Sequence, residues 1–168
     1  MLRSRLNRNW RCQSIFIFAI LSLSYGRIGY TDALPEQVAI KGYSPVSYFE
    51  NGFPELGSPQ FSAEYDDKTY YFTSSDQVDK FKNNPEKYRP LFDACPYSLT
   101  LGRKVSIDPT RFKIIAGQLL LFHKSEEMDA LQQWNEQDDD EGLLNKARRQ
   151  YKFFQSRPFD SHSSPARD

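Results

Sequence analysis

Residues 60–88, QFSAEYDDKTYYFTSSDQVDKFKNNPEKY, change their apolar period once, and that change restricts the fold more than anything else in the chain. Phe61, Ala63 and Tyr65 alternate, Asp66-Asp67 offers a turn, and Tyr71 and Thr73 continue the alternation in a second strand. Period-two runs joined by a short polar turn predict a β-hairpin. At Ser74 the period lengthens. Ser74-x-x-Gln77 has the spacing of a capping box, and Val78 and Phe81 lie one helical turn apart, so a helix follows the hairpin directly. Asn84-Pro85 repeats the cap-then-proline signal and predicts a second short helix carrying Tyr88.

The flanking segments read as the same kind of small pieces. In VAIKGYSPVSYFENG, Val38–Ile40 predicts a short strand, Ser44-Pro45 a helix start, and Gly52 its stop. RPLFDACPYSLTLGRKVSIDP has little periodicity and predicts an ordered loop anchored by Phe92, Tyr97 and Leu99. RFKIIAGQLLLFHKS predicts a second hairpin turning at Ala116-Gly117. Ser125 is placed to cap a further helix, with Glu126 and Glu127 at its positive end and Met128, Leu131 and Trp134 as its buried stripe. Asp138–Glu141 reads as a solvated linker, with an acidic cation site as the alternative. A last helix is expected over about Leu143–Phe153, and residues 154–168 have the composition of a disordered tail. The chain has 168 residues, enough for one domain. The expected fold is α+β: a single small domain over residues 38–153, with two hairpins and several short helices.

The N-terminus has the layout of an export signal. MLRSRLNRNWR is basic, and SIFIFAILSLS (Ser14–Ser24) is an apolar run within the span of about 7–15 residues typical of such signals. Small residues permit cleavage after Gly26 or as late as Ala33. The run is shorter than the roughly 20 apolar residues of a membrane span. The expected location is therefore periplasmic or secreted, with no stable membrane span after removal; an uncleaved membrane anchor is the alternative. Four of the 22 basic residues (Arg3, Arg5, Arg8 and Arg11) and none of the 22 acids lie in residues 1–26, which leaves the remainder net acidic by four. No basic face with interleaved aromatics is visible, so no nucleic-acid partner is expected. Loss of the signal would remove Cys12 and leave Cys95 as the one thiol, in a compartment that favours oxidation. An odd cysteine there reads as bridged to another chain, reactive, ligating, or simply buried.

VAIKGYSPVSYFENG, YYFTSSDQVDKFKNNPEKYRP, the cysteine in DACPYSLTLGRKVSIDP, and FKIIAGQLLLF resemble, in order and spacing, the YHS-domain proteins of exported type. The resemblance spans about Val38 to Tyr151. It implies a small α+β domain and an exported location, and it brings no established reaction. In other branches, including domains appended to copper-transporting ATPases, the hairpin strand ends in a cysteine and a second follows four residues later. Those positions are Thr73 and Gln77 in this chain, and neither is a soft ligand. The exported branch has its own cysteine before a Gly-Arg-Lys, matched by Cys95 with Gly102, Arg103 and Lys104. Asp93 and Ala94 stand where that branch has glycines, and the loop is one residue shorter.

Three functions follow from these residues. The first is a non-enzymatic binding module that meets a ligand or an exported protein through Cys95 or an aromatic cleft lined by tyrosines such as Tyr43, Tyr48, Tyr70, Tyr88 and Tyr97. The second is soft-metal handling, with Cys95 and His123 as ligands for copper or zinc; Asp93 and Met128 are marginal additions, and a closed zinc site needs more donors. The third is a thiol-dependent enzyme using Cys95, with Arg103 and Lys104 near the thiol. No base held by an orienting group, phosphate loop or dinucleotide fingerprint supports that third function.

Overall fold

A computed structural model describes residues 37–156. The expected signal and the end of the expected tail lie outside the described residues. The fold is a small α+β domain with two separate two-stranded antiparallel sheets.

The first hairpin pairs β1 (Ser58–Tyr65) with β2 (Lys68–Phe72). Asp66 and Asp67, both at positive φ, form its turn, as the sequence predicts. Ala63 faces Tyr70, which puts Tyr70 and Phe72 on the buried face. Tyr71 and Thr73, which the sequence marks as the alternating pair of this strand, belong to the other face, because a shift of one residue inverts a strand's sides. Gly57 is required just before this hairpin. A Cβ there would come within 2.5 Å of the Tyr71 backbone.

The Ser74 corner forms as expected. Ser74 Oγ accepts from the Gln77 amide at 3.4 Å and opens α2 (Ser75–Asn83), which buries Val78 and Phe81. The Asn84 side chain accepts from the Lys87 amide at 3.2 Å, and Pro85 begins α3 (Pro85–Tyr88). The second hairpin, β3 (Phe112–Ile115) with β4 (Gln118–Leu121), turns at Ala116-Gly117, both at positive φ.

Five local expectations need correction. Val38 makes a single bridge to Thr69, but Ile40 and Lys41 then turn left-handed at φ 52° and 51°. The helix after Ser44-Pro45, α1 (Ser47–Glu50), starts late, because the Ser44 hydroxyl is spent elsewhere. The predicted loop after Arg89 contains α4 (Pro96–Thr100), for which Cys95-Pro96 is a cap-then-proline signal with an unusual cap. Ser125 Oγ accepts from the Met128 amide in a turn, and Asp129 caps the actual helix, α5 (Ala130–Asn135). Trp134 and Ala130 are its buried residues; Met128 and Leu131 are half-buried. Finally, Asp138–Glu141 is not simply a solvated linker. Asp139 accepts from the Gly142 amide, and Asp140 begins α6 (Asp140–Ser156) while accepting from Lys113 and Trp134.

Strand β4 joins the two halves of the core. Leu119 and Leu121 pack with Tyr48, Tyr70, Phe72, Phe81 and Tyr88 on one side. Leu120 and Phe122 pack with Leu99, Trp134, Leu144 and Ala147 on the other. The uninterrupted LLLF run is what a strand buried on both faces demands. Tyr48 ties α1 into this core: its hydroxyl donates to the Pro109 carbonyl at 2.9 Å, and its ring meets Phe112 edge-on. Among the described residues, no helix is long and apolar enough to cross a membrane.

Candidate functional site

Cys95 is fully buried, so the residue that carries the most chemistry in the sequence is the least accessible. Its amide donates to the Val105 carbonyl at 2.9 Å, and its carbonyl accepts from the Leu99 amide as α4 begins. The side chain packs in the second half of the core, with Phe92, Leu99 and Trp134. A thiol in that setting behaves as a small apolar group. Arg103 is exposed, and Lys104 Nζ pairs with Asp93 Oδ2 at 3.1 Å. Half-buried His123 directs Nδ1 to the Ser106 carbonyl at 3.0 Å. Among the described residues, no three His, Cys, Asp or Glu side chains gather where they can hold a metal ion. Cys95 and His123 therefore do not belong to a cluster with the three or four donors of a closed zinc centre.

The hairpin–helix corner is committed to structure. Gln77 Oε1 accepts from the Ser44 hydroxyl at 2.7 Å and from the Thr73 amide at 3.2 Å. In this chain the amide oxygen holds α2 to the segment before α1, and Thr73 contributes only its backbone.

Among several hollows in the described residues, one with room for a ligand is a cleft of about 340 Å³. Its lining includes Ala39 and Ile40, at the start of the left-handed turn formed by Ile40 and Lys41, and the segment Arg89–Asp93. Ile107 and Leu121, Lys68 and Tyr70 of β2, and Tyr151 of α6 line it too. The turn is strained, since a β-branched residue such as Ile40 is rarely found at positive φ. The Gln37 carbonyl, accepting from the Thr69 amide at 3.0 Å, and the Gly42 carbonyl, accepting from the Gly57 amide at 2.8 Å, hold it in place. Such strain persists where the surroundings over-determine it.

Comparison with known proteins returned no match. No family model, no curated protein and no solved structure corresponds to this chain.

The chemistry of the cleft comes from its own side chains. Tyr70 is almost wholly buried, yet its hydroxyl has no hydrogen-bond partner among the described residues. Burial pushes its pKa up to about 12; nearby Arg89 opposes the shift and Asp66 adds to it. Burial also raises Tyr151, helped by the charge of Asp93. Arg89 donates Nε and Nη2 to Glu86 and Nη1 to the Pro90 carbonyl. Of the five tyrosines read from the sequence as cleft-forming, only Tyr70 lines this one. Tyr48 and Tyr88 are core, Tyr43 packs against it, and Tyr97 is a half-buried residue of α4. Ile40, Lys68, Arg89 and Tyr151 escape sequence reasoning, because nothing local marks residues so far apart as neighbours. An Arg-Pro directly after a capped helix is the one signal that bears on Arg89.

Proposed function

We propose that this chain is an exported YHS-type domain that works as a binding module rather than as an enzyme, and that its ligand enters the cleft between the Ile40 turn and the Arg89–Asp93 segment. One observation carries the reading: a hollow of about 340 Å³, lined by both apolar and polar groups with the polar surface the larger share, from which Cys95 is excluded. Small-ligand sites have this size. A nucleophile, by contrast, needs access and a base, and Cys95 has neither a route to solvent nor a hydrogen-bonded histidine.

Screening a fragment set against the full chain by protein-observed NMR tests this. Binders should shift resonances of Ile40, Tyr70, Leu91 and Ile107, and Cys95→Ala should leave those shifts unchanged. Shifts confined to other surfaces, or binding lost in Cys95→Ala while its cleft resonances keep their wild-type positions, would overturn the reading.

A further inference from the structure

We propose that the cleft takes a small monocarboxylate with an apolar body, its carboxylate received at the mouth by Lys68, Tyr70 and Arg89. This rests on the cleft being the binding site.

The polar half of the argument begins with Tyr70. The Tyr70 residue is only 4% exposed, and its hydroxyl, which makes no hydrogen bond among the described residues, lies on the wall of the hollow. It is not one of the buried unpaired polar atoms, so water reaches it, and a ligand acceptor would take that water's place. Lys68 lines the same mouth, is half-buried, and has no carboxylate partner among the described residues. Arg89 has N–H groups left after its contacts with Glu86 and Pro90, since a guanidinium carries five. These donors converge from β2 and from the segment after α3. On the acidic side, Asp93 is held by Lys104, and Asp66 is exposed at the hairpin turn, where water solvates it. These unspent donors, two of them cationic, suit an anionic acceptor.

The apolar half comes from other lining residues. Ile40, Leu91, Phe92, Ile107 and Leu121 supply branched and aromatic surface, and the volume suits a body the size of one ring or a short alkyl chain. The hydrogen bonds to the Gln37 and Gly42 carbonyls hold the turn that carries Ile40 without help from the ligand. A small acid and the C-terminus of a peptide share this chemistry, so the experiment includes both.

The test is an NMR titration of the full chain with phenylacetate, phenylacetamide, and a short peptide ending in Leu-Phe, as the free acid and as the amide. Phenylacetate should shift the cleft resonances and bind about tenfold more tightly than phenylacetamide, as expected for a charge-assisted contact. Lys68→Gln should weaken the acid several-fold with little effect on the amide, and Tyr70→Phe should weaken the acid more than the amide, because the carboxylate bond is the charge-assisted one. Lys68→Gln alters a half-buried side chain at a strand start, so its folding is not at issue. A free-acid peptide that outcompetes phenylacetate identifies a chain terminus as the source, and the reverse order a free acid. Equal binding of acid and amide overturns the carboxylate assignment while leaving the cleft as a ligand site. Silence of all four probes at the cleft overturns both.

Discussion

Ser44 Oγ donates to Gln77 Oε1 at 2.7 Å across 33 residues of sequence, and both side chains are buried. The same oxygen accepts from the Thr73 amide at 3.2 Å, so one side chain joins the segment before α1 to the hairpin–helix corner. Gln77→Ala strands a buried hydroxyl and weakens the corner, and should cost about 2 kcal/mol in urea unfolding. In a Ser44→Ala background the same change should cost clearly less, because the hydroxyl is no longer there to be orphaned. Equal costs in both backgrounds would show that the bond contributes nothing.

Cys95 should behave as core. In the native protein its thiol should resist a thiol-specific reagent and react only on unfolding, at a rate that follows urea concentration. Cys95→Ala should cost about 1 kcal/mol. Cys95→Ser should cost more, because a hydroxyl would enter an apolar cluster without an acceptor. Prompt native-state labelling would contradict the burial.

Alkaline stability should decline through two tyrosines. Burial raises the phenols of Tyr48 and Tyr70 above the ordinary value of 10.0, Tyr70 to about 12. In the unfolded chain these groups lose their protons first, so each contributes stability that is complete below pH 10.0 and lost as pH rises through its folded value. Tyr70→Phe should flatten the fall between pH 10 and 12 in a pH series of chemical unfolding. Tyr48→Phe should do so too, while losing about 1 kcal/mol at neutral pH with the hydrogen bond to Pro109. An unchanged alkaline limb in both variants would contradict the assignment.

At the acid end the sign reverses. Burial alone would raise Asp140, but hydrogen bonds from Lys113 and Trp134, each 2.6 Å, hold its carboxyl below the ordinary 3.8. Its contribution is present above pH 3.8 and lost as pH falls through the folded value. Asp140→Ala should cost about 1–2 kcal/mol at pH 7, chiefly by leaving the buried Trp134 indole N–H without an acceptor, and should flatten the acid limb. Unfolding measured from pH 2 to 7 checks both effects.

Much of the domain was legible along the chain, wherever the deciding interaction lies within about four residues. The turns at Asp66-Asp67 and Ala116-Gly117, the caps at Ser74 and Asn84, the proline that opens α3, and the burial of Trp134 are all of this kind. Local signals misled where two neighbours compete for one role. Ser44 has the look of a cap, yet its hydroxyl goes to Gln77; Ser125 closes a turn while Asp129, four residues on, caps the helix.

The candidate site belongs to the other class. Whether Cys95 is a reagent or a core residue depends on Val105, Trp134 and Ala147 closing over it, and none of these is its sequence neighbour. The cleft likewise unites Ile40, Tyr70, Arg89 and Tyr151 from four separate elements. Backbone φ preferences and caps act at short range, so composition and spacing encode them directly. Solvent access and a convergent set of donors depend on how distant segments pack, and that is settled only once β4 has brought the two halves of the core together.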